Sequence, residues 1–339
     1  MSESPTAKEF LLNVTGQLLL ARALGIVVDL GIADIVADGA KTMEELAAAT
    51  GCEQDSLYRL LRMLGGHGVF AEDEQGRIAL TPRAELLQAD HPDSVYEMLA
   101  LGWQDVQWNT YQALPEAVLT GETAFEIAHG KGFFDYLAER PELNASFDRR
   151  MSGVSRAENE QIVKAYEFGN YAPVIDIGGG QGGLLAAIVR RYPGIAAALY
   201  EQPQVLTDSA DLREAGVLDA VARIAGNFFN DVPPGFGLYV MKRIIHDWED
   251  ERAVGILRHC RDAMSGTSRL LVIDAVMKAG NEPDPNKNLD LNIMALTPGR
   301  ERTKEEFAAL FAAAGLRLTR VIPTQRPSTL SLVEGERAG

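Results

Sequence analysis

The stretch VIDIGGGQGG, residues 174–183, decides the fold of this chain. An apolar run holding Asp176 breaks into clustered glycines, and Gly178, Gly180 and Gly183 fit the spacing G-x-G-x-x-G. In that pattern the glycines permit a tight turn, close backbone approach to a ligand, and packing of the next helix on a sheet. An acidic residue, Glu201, follows roughly 20 residues on near the end of a second apolar run, where a carboxylate can accept hydrogen bonds from ribose hydroxyls. Glycine-rich loops are often no more than turns. With strand, helix and acidic residue all in place, the segment reads as the loop of a nucleotide-containing cofactor, and the motif alone leaves open which one.

Outward from this loop, everything after Asn170 alternates strand and helix, the signature of a parallel sheet covered on both faces. Seven strands are expected: Val174 to Ile177, Ala197 to Tyr200, Ala220 to Ile224, Leu238 to Lys242, Arg269 to Ile273, Leu316 to Val321 and Leu330 to Glu334. Helices are expected near Leu184 to Arg191, Glu251 to Met264 and Lys304 to Ala314. Only Pro323 to Ser328 separates the last two strands, so a hairpin closes the sheet and one strand there is antiparallel.

The N-terminal part is mainly helical. Phe10 to Leu24 is apolar at helical spacing, Thr42 to Ala48 carries Glu44 and Glu45 in its first turn, and Asp55 can cap a helix that Gly65 and Gly66 stop. Val69-Phe70 and Arg77 to Leu80, joined across Glu72 to Gly76, form a short two-stranded wing. This winged-helix-like outline is one that often reads DNA. However, residues 1–90 hold 14 acidic against 7 basic side chains, where a DNA reader needs a basic face. A dimerisation role fits better. The boundaries read as 1–100 for this part and 101–339 for the cofactor-binding part, with 101–170 a helical linker and pocket segment.

A net charge of −16 opposes attraction to nucleic acid or anionic membrane, and 46% apolar residues suffice for a sizeable core. Cys52 and Cys260 lie far apart and form no C-x-x-C, which argues against a disulfide framework or structural zinc and suits the cytoplasm. No run approaches ~18 uninterrupted apolar residues, so neither a leader nor a membrane span is expected.

Three loops then open on the carboxyl edge of the sheet, where open α/β sheets bind ligands. Asp176 stands two residues before Gly178, where a carboxylate repels phosphate but can hold a cation. Asn227, Phe228 and Phe229 follow the third strand, suited to bonding and packing an adenine. Lys242, Arg243, His246, Asp247 and Trp248 follow the fourth. A histidine at that place is positioned for substrate chemistry. The acidic run Asp247, Glu249, Asp250, Glu251 could hold magnesium on paper, but acidic residues favour a helix N-terminus, and no metal is expected.

The segments VIDIGGGQGG, LYEQPQV, GNFF, VMKRIIHDWEDERAV, LLVIDAVM and GRERTKEEF, in that order along nearly the whole chain, resemble the class I S-adenosylmethionine-dependent small-molecule O-methyltransferases of plant phenylpropanoid and bacterial aromatic-polyketide pathways. The resemblance implies a Rossmann-like seven-stranded sheet with an N-terminal helical dimerisation domain, a homodimer, and S-adenosylhomocysteine as product. Carried over by position, Asp176, Gly178 and Gly180 line the methionine and ribose side, Glu201 holds the ribose hydroxyls, Gly226, Asn227 and Phe228 frame the adenine, and Lys242 lies beside the cofactor. His246 is the implied general base. Where plant members carry Glu, this chain has Asp274, whose shorter side chain makes Glu301 the stronger candidate for orienting His246. Asn227 replaces the usual Asp, and as an amide it can both accept from and donate to adenine. Trp103, Phe133, Phe134, Met151, Trp248, Asn292 and Met294 are the expected pocket residues for a small aromatic substrate. The alternatives are the same fold methylating nitrogen or carbon, or drifted to other chemistry; a nicotinamide dehydrogenase; and a ligand-sensing DNA-binding regulator.

Overall fold

The computed structural model describes residues 6–339; the side chains at 101, 103, 148, 149 and 152–154 lie outside what it describes. The chain forms two compact units, one of residues up to Asn109 with Leu137–Gly153, the other of Thr110–Tyr136 with Val154–Gly339.

In the first unit the helix Ala7–Asp29 starts in a capping box, Thr6 with Glu9. Thr42 and Glu45 do the same for Met43–Thr50. The helix Gln54–Gly66 corrects two expectations. Its cap is Glu53, whose carboxylate accepts from the amides of Asp55 and Ser56, because Glu53 is the last extended residue and its side chain reaches both donors. Gly65 and Gly66 stay helical, and the chain breaks at His67 and at Gly68, whose φ of +68° suits glycine. The antiparallel pair β1 (Phe70–Glu72) and β2 (Ile78–Leu80) follows. Val27, Leu46, Leu57, Leu61, Leu64 and Ile78 build the core of this unit.

By length and average composition alone, Ala7–Asp29 could cross a membrane, and only 22% of its most apolar window is buried within the chain. It holds no uninterrupted apolar run of that length, because Asn13, Thr15, Gln17 and Arg22 break it up. Phe10, Leu11, Leu12, Val14, Leu18 and Leu19 are all exposed along this helix.

The second unit is built on one sheet. Its strands are β3 (Val174–Ile177), β4 (Ala197–Glu201), β5 (Val221–Ala225), β6 (Leu238–Lys242), β7 (Arg269–Met277), β9 (Leu316–Pro323) and β10 (Leu330–Arg337). They lie side by side in the order β5-β4-β3-β6-β7-β10-β9. Parallel pairing joins β3 to both β4 and β6, while β10 is antiparallel to β7 and β9 as the short connection requires. An eighth strand, β8 (Arg302–Thr303), pairs with the end of β7 and is too short to show as a pattern. β7 itself runs four residues further than expected, which places Asp274 inside it. Side chains alternate between two cores: Val174, Leu199, Val240 and Ile273 face the helix Gly183–Arg191, and Ile175, Tyr239, Met241 and Val272 face Asp250–Ala263 and Lys304–Ala313. The chain leaves β3 toward β4 and β5 and later returns to β6 on its other side. The crevice at the carboxyl ends of β3 and β6 is therefore the switch point at which such sheets bind ligands.

Candidate active site

β3 delivers Asp176 and the glycines. Gly178, at φ +69°, lies so close to Ile244 and Phe228 that a Cβ would stand 2.7 Å from Ile244 Cδ1. The Asp176 carboxylate is fully buried and neither oxygen has a hydrogen-bond partner. Burial pushes its acid up to about 7 against the pull of Lys242. An unpartnered buried carboxylate beside a glycine cradle fits a cationic ligand and disfavours a pyrophosphate. On the neighbouring strand, Glu201 Oε2 accepts from the Gly180 amide at 3.1 Å and Oε1 from the Gln202 amide at 2.7 Å, which holds the carboxylate at the rim with lone pairs to spare for ribose hydroxyls.

After β5, Gly226 packs against Tyr200, where a Cβ would meet the ring at 2.2 Å. Asn227 Oδ1 takes the Phe229 amide at 3.0 Å in a local turn, which leaves its second lone pair and the amide nitrogen to meet a purine. Phe228 and Phe229 pack at 4.7 Å, and Trp248 meets Phe229 edge-on at 4.7 Å.

β6 ends in Lys242. Its ammonium donates to Asn159 Oδ1 at 2.9 Å and pairs with Glu158 at 3.1 Å. Beyond it the single turn Ile245–Asp247 carries His246, which is buried with its Nδ1 2.7 Å from Glu301 Oε1. Asp247 lies 3.7 Å from Nε2. Asp274 is wholly buried, has no hydrogen-bond partner and influences the imidazole through its charge alone. Burial by itself would lower the proton affinity of His246; Asp247, Asp274 and Glu301 outweigh it and raise the imidazole to about 9. Burial raises the Asp274 and Asp247 carboxyls as well.

Two residues of the GRERTKEEF segment, to which no role was assigned from the sequence, hold this geometry. A Cβ on Gly299 would fall 1.9 Å from the His246 carbonyl oxygen, so only glycine lets the 299–301 loop lie against the histidine turn. Arg302, 1% exposed, donates to the carbonyls of Ile245 and Trp248 and pairs with Asp250 at 2.7 Å, which clamps the same turn from below. Their place in GRERTKEEF was the available signal for both; nothing in the sequence pointed to Glu158 and Asn159.

The expected pocket residues divide. Trp103 and Met151 belong to the first unit, and the Trp103 side chain is among those not described. In the second unit, Phe133 is 5% exposed and packs edge-on against Phe125, while Phe134 is 44% exposed and stacks with Trp248 at 6.2 Å. Asn292 accepts from the Tyr111 hydroxyl at 2.6 Å, and Met294, two residues on in the helix Asn286–Leu296, is part-exposed. Among the described residues no three His, Cys, Asp or Glu side chains gather as metal ligands.

A switch-point crevice that offers a buried carboxylate to a cation and a histidine to a proton defines a group-transfer enzyme of the α/β class. Comparison with known proteins makes this particular. Residues 111–317 match the O-methyltransferase domain family and residues 12–90 its dimerisation domain. The phenazine O-methyltransferase of Lysobacter antibioticus is 40% identical over 97% of this chain and 96% of its own length. The crystal structure of LaPhzM superposes with a TM-score of 0.91 at 39% identity, covering 98% of this chain and 100% of that one. An O-methyltransferase from neocarzinostatin biosynthesis, solved with S-adenosylmethionine and 2-hydroxy-5-methyl naphthoic acid, gives 0.80 at 32% identity over 94% and 96% of the two chains. The chain belongs to the O-methyltransferase family and has its mixed α/β fold with an N-terminal helical dimerisation domain.

Proposed function

We propose that this enzyme methylates a hydroxyl of a small aromatic natural product with S-adenosylmethionine, using His246 as general base and no metal, as a cytoplasmic homodimer joined through its N-terminal domain. The observation that carries the chemistry is the 2.7 Å contact between His246 Nδ1 and Glu301. When bound, S-adenosylmethionine supplies an electrophilic methyl group on a sulfonium. Every other task falls to the chain. Asp176, Lys242 and the glycine cradle bind and orient the donor; Glu201, Gly226, Asn227 and Phe228 fix its nucleoside; and Phe134 and Trp248 offer apolar faces to a flat acceptor. Phe133, Asn292 and Met294 are the remaining pocket residues of this reading. With its Nδ1 proton held by Glu301, His246 keeps Nε2 for the acceptor's proton, and the same carboxylate stabilises the imidazolium as it forms.

The proton balance favours this role. A phenol near ~10 and an unperturbed histidine near ~6.5 leave proton transfer about 5 kcal/mol uphill. With His246 raised to about 9, the mismatch falls to roughly 1.4 kcal/mol. Transfer concerted with C–O bond formation then avoids a free phenolate. In His246→Gln, turnover of an accepted phenol is expected to fall by about 10²–10⁴-fold, while calorimetry shows S-adenosylhomocysteine still bound. Near-normal turnover in that variant would reduce the mechanism to proximity.

A further inference from the structure

Glu158 lies outside every motif, yet its carboxylate occupies the point where the two halves of the site meet. The helix Pro141–Ala165 brings Glu158 and Asn159 against Lys242 and Arg243, two neighbours on one segment against two on another. Glu158 Oε2 lies 3.1 Å from the Lys242 ammonium and Oε1 2.5 Å from Arg243 Nη2, and the side chain is 7% exposed. The charge of Lys242 acts on Asp176 on the cofactor side. The charge of Arg243 acts on Asp274, Asp247 and Glu301 on the base side. Arg243 is also one of only two non-glycine residues at positive φ among the described residues, at +55°, with its amide bonded to the Ile273 carbonyl. Such a conformation is disfavoured for a residue with a Cβ and persists only where the surroundings fix it.

We propose that Glu158 is a positioning residue for methyl transfer: its one carboxylate holds Lys242 toward the cofactor and Arg243 toward the carboxylates around His246. Loss of that charge leaves two part-buried cations without their shared partner. Lys242 loses its anchor beside Asp176. The positive charge of Arg243, no longer offset, acts in full on a histidine that also faces Asp247 on its own turn, Asp274 on β7 and Glu301 before β8. The inference rests on the reading of His246 as base, but its test does not depend on turnover.

The imidazole of His246 is titrated by NMR in the enzyme without cofactor, its signal assigned by its loss in His246→Gln, and S-adenosylhomocysteine affinity is measured by calorimetry. Glu158→Gln is expected to shift the His246 titration downward by about half a pH unit or more and weaken binding roughly tenfold. Arg243→Gln removes a cation and should shift the same titration upward. A Glu158 that merely packs would lower the melting temperature and leave titration and affinity unchanged, which would overturn the proposal. Should Glu158→Gln not fold, Arg243→Gln decides alone, and an unmoved histidine in that variant is equally fatal. Failure of His246 as base would instead appear as full turnover in His246→Gln, whatever Glu158 does.

Discussion

At His246 two opposing forces meet. Burial disfavours the imidazolium, and Asp247, Asp274 and Glu301 favour it strongly enough to raise the group to about 9. The resting side chain is therefore mostly protonated at neutral pH, with about 1% free to act as a base at pH 7. Because only the neutral form accepts a proton, kcat/KM should climb nearly tenfold per unit from pH 6 toward 8 and level off near 9, a profile that a flat response over this range would refute. Asp176 carries the opposite sign. Its acid is raised to about 7, so the folded state bears no penalty below about pH 4 and a growing one above, reaching up to about 4 kcal/mol by neutral pH. Asp176→Asn should therefore melt higher than the parent at pH 8, with the gain vanishing toward pH 4, and should bind S-adenosylmethionine at least about tenfold less tightly. An unchanged melting point at pH 8 would show that the carboxylate is already satisfied.

The sheet's elements were legible because their periods are local. β3, β4, β6 and their helices announced themselves by apolar runs, glycines and caps, and these alone placed Asp176, Glu201, Lys242 and His246 at one edge. Glu301 was named as the partner of His246 through the resemblance, but what brings it there was not legible. Glu301 reaches His246 from 55 residues away, and it does so because Gly299 lets two backbones touch and Arg302 ties the turn by two bonds to its carbonyls and one to Asp250 on the next helix. A glycine required by a neighbour distant in sequence looks like any turn glycine. Gly299→Ala is therefore expected to fold with its loop displaced, costing about 1–3 kcal/mol in thermal unfolding, and to lose at least about tenfold in kcat as Glu301 withdraws. A variant with full kcat would show that the loop does not orient the base. Asp274 shows the reverse difficulty: its strand was read too short, and burial without a partner is a property of the packed sheet that no pattern records.

For the molecule as a whole, the exposed apolar face of Ala7–Asp29 sets the question of assembly. Phe10, Leu11, Leu18 and Leu19, each 57–68% exposed, form a surface that water disfavours, and it falls across the start of the matched dimerisation domain. A second copy is the expected cover. Light scattering should give twice the 36.8 kDa chain mass, and Leu11→Asp with Leu18→Asp should give the monomer. A variant that stays dimeric places the interface elsewhere, and a parent that partitions into liposomes would favour the membrane instead. The amino-acid sequence by itself determined the order of strands and helices, the glycine loop with its acidic partners, and a histidine on the same edge, since each follows from spacing along a single segment. Only the tertiary structure decided which carboxylate touches that histidine, which one stays unpartnered, and that Glu158 spans the two halves of the site. Those facts depend on burial and on distances between segments far apart in the chain, and such distances exist only once the sheet has closed its two cores.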